Sequence, residues 1–238
     1  MRNRTATALS ATPALAALAL LTASPAEASV IWDGDASGGT GVFSSTLCDS
    51  PGSVSAQDNN DGRGQVFKFN KPLGLERCEA HGISVGGSRY TFKNDSTYWI
   101  GWDTSTNTPD AGTIFQWKSY GTNDQHQQNY PVLMKVEGGQ LKLFHITTGE
   151  NWHLKWSTPV ATSTYKRIVL GIHTSDDASS GWVAAFYNGT KVAEFSGRTW
   201  DDLGNDTRFG TYGAEVKDKR VINWIDGLRV GTTYGDVD

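Results

Sequence analysis

The sequence is short of most of what would place it in a common functional class. Cysteine occurs twice, methionine twice, and 19% of the 238 residues are charged. Two cysteines with no nearby histidine pattern make a poor zinc site. Beyond residue 28 no apolar run is long enough to span a bilayer, which argues against a membrane partner. The formal net charge of −4 supplies no whole-molecule attraction for nucleic acid or for an anionic polymer. An acidic ligand would therefore need a local basic groove. Helical periodicity is almost absent; "SGRTWDDLG" at 196–204 offers one short turn at most. No strand carries a Glu-x-Asp-x-x-Glu set of carboxylates, and "EVKDK" from Glu215 does not fit one, so a glycoside hydrolase ranks last.

What is abundant is glycine, at 27 residues, and aromatic side chains, at 11%. Together they indicate many turns and a β-rich core. Short runs such as "GQVFKFN", "TYWIGW", "GTIFQWKS", "YKRIVLGIHTS" and "RVINWIDGLRVG" alternate or are rich in β-branched and aromatic residues. Glu137-Gly138-Gly139-Gln140 and Asn188-Gly189 read as hairpin turns, because glycine and asparagine tolerate positive φ. Many short strands at this spacing predict an all-β fold. The expected form is a β-jelly roll, a concanavalin A-like sandwich of two sheets with a concave groove.

The N-terminus reads as a segment to be removed. Arg2 and Arg4 precede an apolar run over 6–23, and Ala26-Glu27-Ala28 offers small residues for cleavage. This is the pattern of a secretory signal peptide, so a secreted, extracellular protein is expected, with residues 29–238 as one domain. Removing Arg2, Arg4 and Glu27 changes the net charge to −4 − 2 + 1 = −5. In an exported chain Cys48 and Cys78 are expected to form a disulfide, worth about 3–4 kcal/mol by chain entropy.

Three strands carry candidate chemistry. In "ERCEAHG", Arg77, Glu79 and His81 share one face while Cys78 points the other way. In "IFQWKS", Gln116 and Lys118 share a face opposite Phe115 and Trp117. In "RFGTYGAEV", Arg208, Gly210 and Tyr212 share a face. Each could be an ordinary solvated face. A mid-strand glycine marks either close approach of a ligand or a bulge.

Taken in order, the R-x-E strand, the "IFQW" strand and the late F-G-x-Y strand resemble the jelly-roll polysaccharide lyases. The nearest branches are the heparin lyase I-like and glucuronan lyase families, with alginate lyases a more distant likeness. The similarity runs from about Arg77 to Gly231. It implies cleavage of a uronic-acid polymer by β-elimination, glucuronan first, then heparin-like glycosaminoglycan or alginate. Such enzymes remove the C5 proton, α to the uronate carboxylate, and expel the C4 oxygen. The carboxylate must be neutralised by fixed donors. The resemblance assigns that task to Gln116, helped by His81 and by Arg77, whose fork suits a carboxylate. It makes Tyr212 the acid and either Tyr212 or His81 the base that takes the C5 proton. Free tyrosine ionises near about 10, and a nearby cation (Arg208, Arg77 or Lys118) would favour the phenolate. Glu79 is expected to orient Arg77. Relatives often carry histidine where this chain has Lys118; that departure removes one expected base and leaves Lys118 and Arg208 as substrate-binding cations.

Other features are less committed. His145 reads as a core or strand-end residue. Trp152 and Trp156 flank His153 and could stack on sugars or fill the core. The mechanism requires no metal or cofactor. "IWDGDASGG" and Asp226 would meet if first and last strands pair, a plausible place for structural calcium. The expected partner is an acidic polysaccharide, and a monomer is expected. The competing reading is a non-catalytic carbohydrate-binding module or lectin on the same sandwich.

Overall fold

The computed structural model describes residues 29–119, 130–201 and 203–238. The signal-peptide reading of residues 1–28 and His126 of the polar loop lie outside the described residues. Sixteen strands follow one another. The first eight are β1 (Val30–Asp33), β2 (Phe43–Cys48), β3 (Ser53–Asp58), β4 (Gln65–Lys71), β5 (Arg77–Val85), β6 (Ser88–Arg89), β7 (Thr97–Thr106) and β8 (Gly112–Ser119). The rest are β9 (Val132–Glu137), β10 (Gln140–Thr147), β11 (Asn151–Pro159), β12 (Lys166–His173), β13 (Trp182–Tyr187), β14 (Thr190–Ser196), β15 (Asn205–Tyr212) and β16 (Val221–Gly231). Among the described residues the only helices are three short 3₁₀ segments, and 196–204 contains none.

The strands form two antiparallel sheets, as the alternation predicts. One has the order β14-β13-β12-β7-β16-β4-β3, with β1 added beside β16. The other runs β11-β10-β9-β8-β15-β5-β2, with β6 attached to β5. Both predicted hairpins are present, β9–β10 and β13–β14. Gly138, Gly139, Asn188 and Gly189 take φ of 59°, 73°, 49° and 77° in their turns.

Inward-facing aromatic residues fill the space between the sheets. Trp102 of the first sheet stacks on Phe115 of the second, centroids 4.9 Å apart, and meets Phe209 edge-on. Phe92 packs edge-on against Trp117. All five are essentially excluded from solvent. Burial of that size fixes the pleat of β8 and β15. With Phe115, Trp117 and Phe209 inward, Gln116, Lys118, Arg208 and Tyr212 must point outward.

Cys48 and Cys78 are bonded, joining β2 to β5 at paired positions. First and last strands do pair, but the carboxylates there are matched by arginines. Asp226 Oδ2 lies 3.0 Å from Arg63 Nη1, and Asp33 Oδ2 3.5 Å from Arg229 Nε. Among the described residues no group of three or more His, Cys, Asp or Glu is arranged to hold a metal ion, so the calcium suggestion gains no ligand cluster. No helix among them is long and apolar enough to cross a membrane.

Candidate active site

The outer face of the second sheet gathers every residue singled out for chemistry. β5, β15 and β8 are consecutive in that sheet. Arg208 of β15 is the cross-strand partner of both His81 on β5 and Gln116 on β8. Tyr212 is the partner of Arg77, and Gly210 that of Glu79. The residues therefore form three levels along the strands. His81, Arg208 and Gln116 lie at one, Glu79 at the middle, and Arg77 with Tyr212 at the other.

Glu79 is the hub. It is 2% exposed, and a buried carboxylate must find donors. Gln116 Nε2 donates to Oε1 at 2.6 Å. Arg77 Nε lies 3.0 Å from Oε2, and His81 Nε2 3.7 Å from the same oxygen. Arg77 is thus an ion-pair neighbour of Glu79, without hydrogen-bond geometry between Nε and Oε2. Strand alternation does not predict the contact of Glu79 with Gln116, because β15 lies between β5 and β8. The two side chains meet across β15, in which Gly210 is the partner of Glu79. Since Glu79 accepts, the amide nitrogen of Gln116 faces it. The second N–H on that nitrogen and the amide oxygen remain for other partners.

Gly210 has a structural reason to be glycine. Its φ is 136°, and a Cβ there would lie 2.3 Å from Cys78 O and 2.8 Å from Glu79 Cα. The β15–β8 register shifts between Phe209 and Tyr212. The residue marks a β-bulge with close backbone approach, in place of the room for a ligand that was one reading of the sequence.

The cation beside Tyr212 is Arg77, whose guanidinium carbon sits 4.2 Å from the ring centroid. Arg208 is four residues away along an extended strand, about 13 Å, and belongs with Gln116 instead. Tyr212 and Arg77 also border a cleft of roughly 310 Å³ shared with Leu47, Asp49, Glu76 and Lys217.

Lys118 and Arg208 form a half-buried positive pair. Burial, then the charges of Arg208 and Arg77, hold the Lys118 ammonium down at about 8, against the pull of Glu79 and Asp201. Burial lowers Arg208 as well. Among the described residues neither makes a hydrogen bond or ion pair. Asp206, the cross-strand partner of Lys118, is instead held by Arg89, whose Nε and Nη2 lie 2.8 and 2.5 Å from Oδ2. Burial raises the Asp206 carboxyl above its ordinary value. The local charge is thus positive although the chain is acidic overall.

Two histidines read from the sequence lie elsewhere. His145 is buried beneath Phe195 with Nε2 3.1 Å from Arg198 O, a core residue as expected. His153 lies beside Thr147 Oγ1 at 3.3 Å.

Comparisons with known proteins bear on the fold and the family. The chain resembles the endo-β-1,4-glucuronan lyase of the fungus Trichoderma reesei, with a TM-score of 0.65 and 19% identity over 87% of this chain and 96% of that one. An alginate lyase of polysaccharide lyase family 7 gives 0.56 and 15% over 79% and 85% of the two chains. An alginate lyase of Zobellia galactanivorans gives 0.54 and 18% over 80% and 95%. At these identities the likeness is one of fold. No curated protein sequence matches the chain. The sequence profile described as Polysaccharide lyase matches residues 33–229, which takes in both sheets and every residue of the outer-face cluster, and the chain belongs to that polysaccharide lyase family.

Proposed function

We propose that this enzyme is a secreted lyase that cleaves β-1,4-linked glucuronan by β-elimination on the outer face of the second sheet. The observation that carries the reading is the half-buried pair Lys118 and Arg208, without a hydrogen bond or ion pair among the described residues, beside an amide fixed by Glu79. Unmatched cations in a partly desolvated site are costly, and a substrate carboxylate completes them.

In the scheme, a uronate carboxylate lies against the free N–H of Gln116 and the charges of Arg208 and Lys118, with His81 beside them. Neutralising it lets negative charge from C5 spread into the carboxylate. Tyr212, as phenolate, takes the C5 proton. The C4–O4 bond breaks as the C4–C5 double bond forms, and Tyr212 returns the proton to the glycosidic oxygen, which leaves as the anomeric hydroxyl of the departing sugar. Arg77 stacks its guanidinium on the Tyr212 ring and fixes the ring's position beside the substrate. The choice of glucuronan is supported by the fold likeness to a glucuronan lyase.

The test is ultraviolet absorbance with polyglucuronate, alginate, heparin, hyaluronan and a neutral glucan. The expected result is a rise with polyglucuronate as the unsaturated uronate forms. A flat trace with every polymer, with binding retained, would favour the carbohydrate-binding reading.

A further inference from the structure

The same face that carries the candidate site continues into an apolar surface. Cross-strand partners run in one row from Gln116 on β8 to Leu133 on β9, Phe144 on β10 and Leu154 on β11. Trp152, two residues before Leu154, lies on the same face. Its indole meets Phe144 edge-on at 5.3 Å and Tyr130 at 5.8 Å. Tyr130 also feels Tyr212: its hydroxyl is pushed up to about 12, first by burial, then by Glu150, with Tyr212 contributing. Trp152 is 45% exposed and Leu154 53%. Two large apolar side chains on one edge strand, next to a polar site and in register with it, form a surface whose exposure calls for an occupant.

We propose that Trp152, with Tyr130, Phe144 and Leu154, is a pyranose-stacking subsite for the polymer, three strands from Gln116. The inference rests on the lyase reading. Strands are about 4.8 Å apart, so the platform lies about 14 Å from Gln116. One strand spacing is close to the advance of one residue in an equatorially linked pyranose chain, so three spacings place the platform at the third sugar from the one held by Gln116. A flat aromatic face suits a sugar whose ring faces carry only C–H bonds. β-Glucuronate has all its ring substituents equatorial and presents such faces, with its carboxylate at the rim. Mannuronate carries an axial hydroxyl, and guluronate is linked through axial bonds. The platform therefore selects for glucuronan by stacking, separately from the charge recognition at Lys118 and Arg208.

The experiment is a chain-length series of glucuronan oligomers with the unaltered enzyme, Trp152→Ala and Trp152→Phe. For long chains Trp152→Ala is expected to lower kcat/KM about tenfold, through KM. The loss shrinks as oligomers become too short to reach β11, and Trp152→Phe restores most of it. A loss independent of length, or no loss, would overturn the subsite. If no uronan is cleaved, the lyase reading fails by itself, and calorimetric titration with polyglucuronate decides the platform. About tenfold weaker binding by Trp152→Ala sustains it; equal binding, or none by either protein, overturns it.

Discussion

Glu79 and Gln116 stand on strands that do not touch, yet their side chains meet at 2.6 Å across β15. The contact ties together three strands that each contribute one part of the chemistry. It fixes which end of the amide faces the groove, and it holds Arg77 over Tyr212 through the other carboxylate oxygen.

Replacing Glu79 with Gln keeps the shape, removes the charge that faces Arg77, and offers Gln116 a donor as well as an acceptor. The amide of Gln116 is then free to turn. Loss of one oriented donor for a developing anion costs about 100-fold or more in kcat. Steady-state kinetics of Glu79→Gln should show that fall with a smaller change in KM. An unchanged kcat would remove Glu79 from its positioning role.

Gly210→Ala should be severe for a different reason. The added methyl would enter the backbone of β5 at a φ of 136°. A destabilisation of about 2–3 kcal/mol is expected from the strain and the clash. Chemical denaturation measures it. A near-neutral result would mean that β5 and β15 can separate locally without cost.

The pH dependence should follow Lys118. Its ammonium titrates at about 8 in the folded protein against an ordinary 10.5. Below about 8 it is charged and assists the substrate carboxylate; above, it is neutral, so KM for an acidic polymer should rise through that pH. Lys118→Arg should flatten the rise, because guanidinium keeps its charge. The stability effect has a definite sign. Between about 8 and 10.5 the unfolded chain holds the proton that the folded one has lost, so stability contributed by this group increases with pH across that window. KM profiles of the two proteins check the first statement, and denaturant midpoints the second.

Lys71 makes a further prediction about the wall of the cleft. Its side chain is fully buried, and Nζ donates to the carbonyls of Leu75, Val216 and Lys219 at 2.8, 2.7 and 2.7 Å, with Pro72 O at 3.3 Å. One ammonium thus pins two loops, one entering β5 beside Arg77, the other leaving β15 after Tyr212. Lys71→Met leaves those carbonyls without their donor. A loss of about 3 kcal/mol, or a Tm lower by about 10 °C, is expected. Calorimetry that finds no change would show that water replaces the ammonium.

Much of this was legible in the sequence because strands have a period of two. Phe115, Trp117 and Phe209 had to turn inward, which alone places Gln116, Lys118, Arg208 and Tyr212 outward. What alternation cannot show is where it breaks. Trp152 and Trp156 are four residues apart and would share a face on a regular strand. The β10–β11 register shifts between Leu143 and Phe144, so Trp156 pairs with inward Leu143 while Trp152 faces out. That bulge separates a half-buried tryptophan packed against the core from an exposed one. The order of strands was equally hidden. Only the placement of β15 between β5 and β8 makes Glu79 a partner of Gln116, and only the separation along β15 gives Arg77, rather than Arg208, to Tyr212. Lys71 gave no signal, since its four carbonyls come from loops.

The central claim concerns which bond is broken and how, and the mass of the products reports it most directly. Polyglucuronate digested by the protein should yield oligomers ending in an unsaturated uronate, each lighter by one water than the corresponding hydrolysis product, and Tyr212→Phe should yield none. Saturated products carrying that extra water, or unsaturated ends released equally by Tyr212→Phe, would contradict elimination driven from Tyr212.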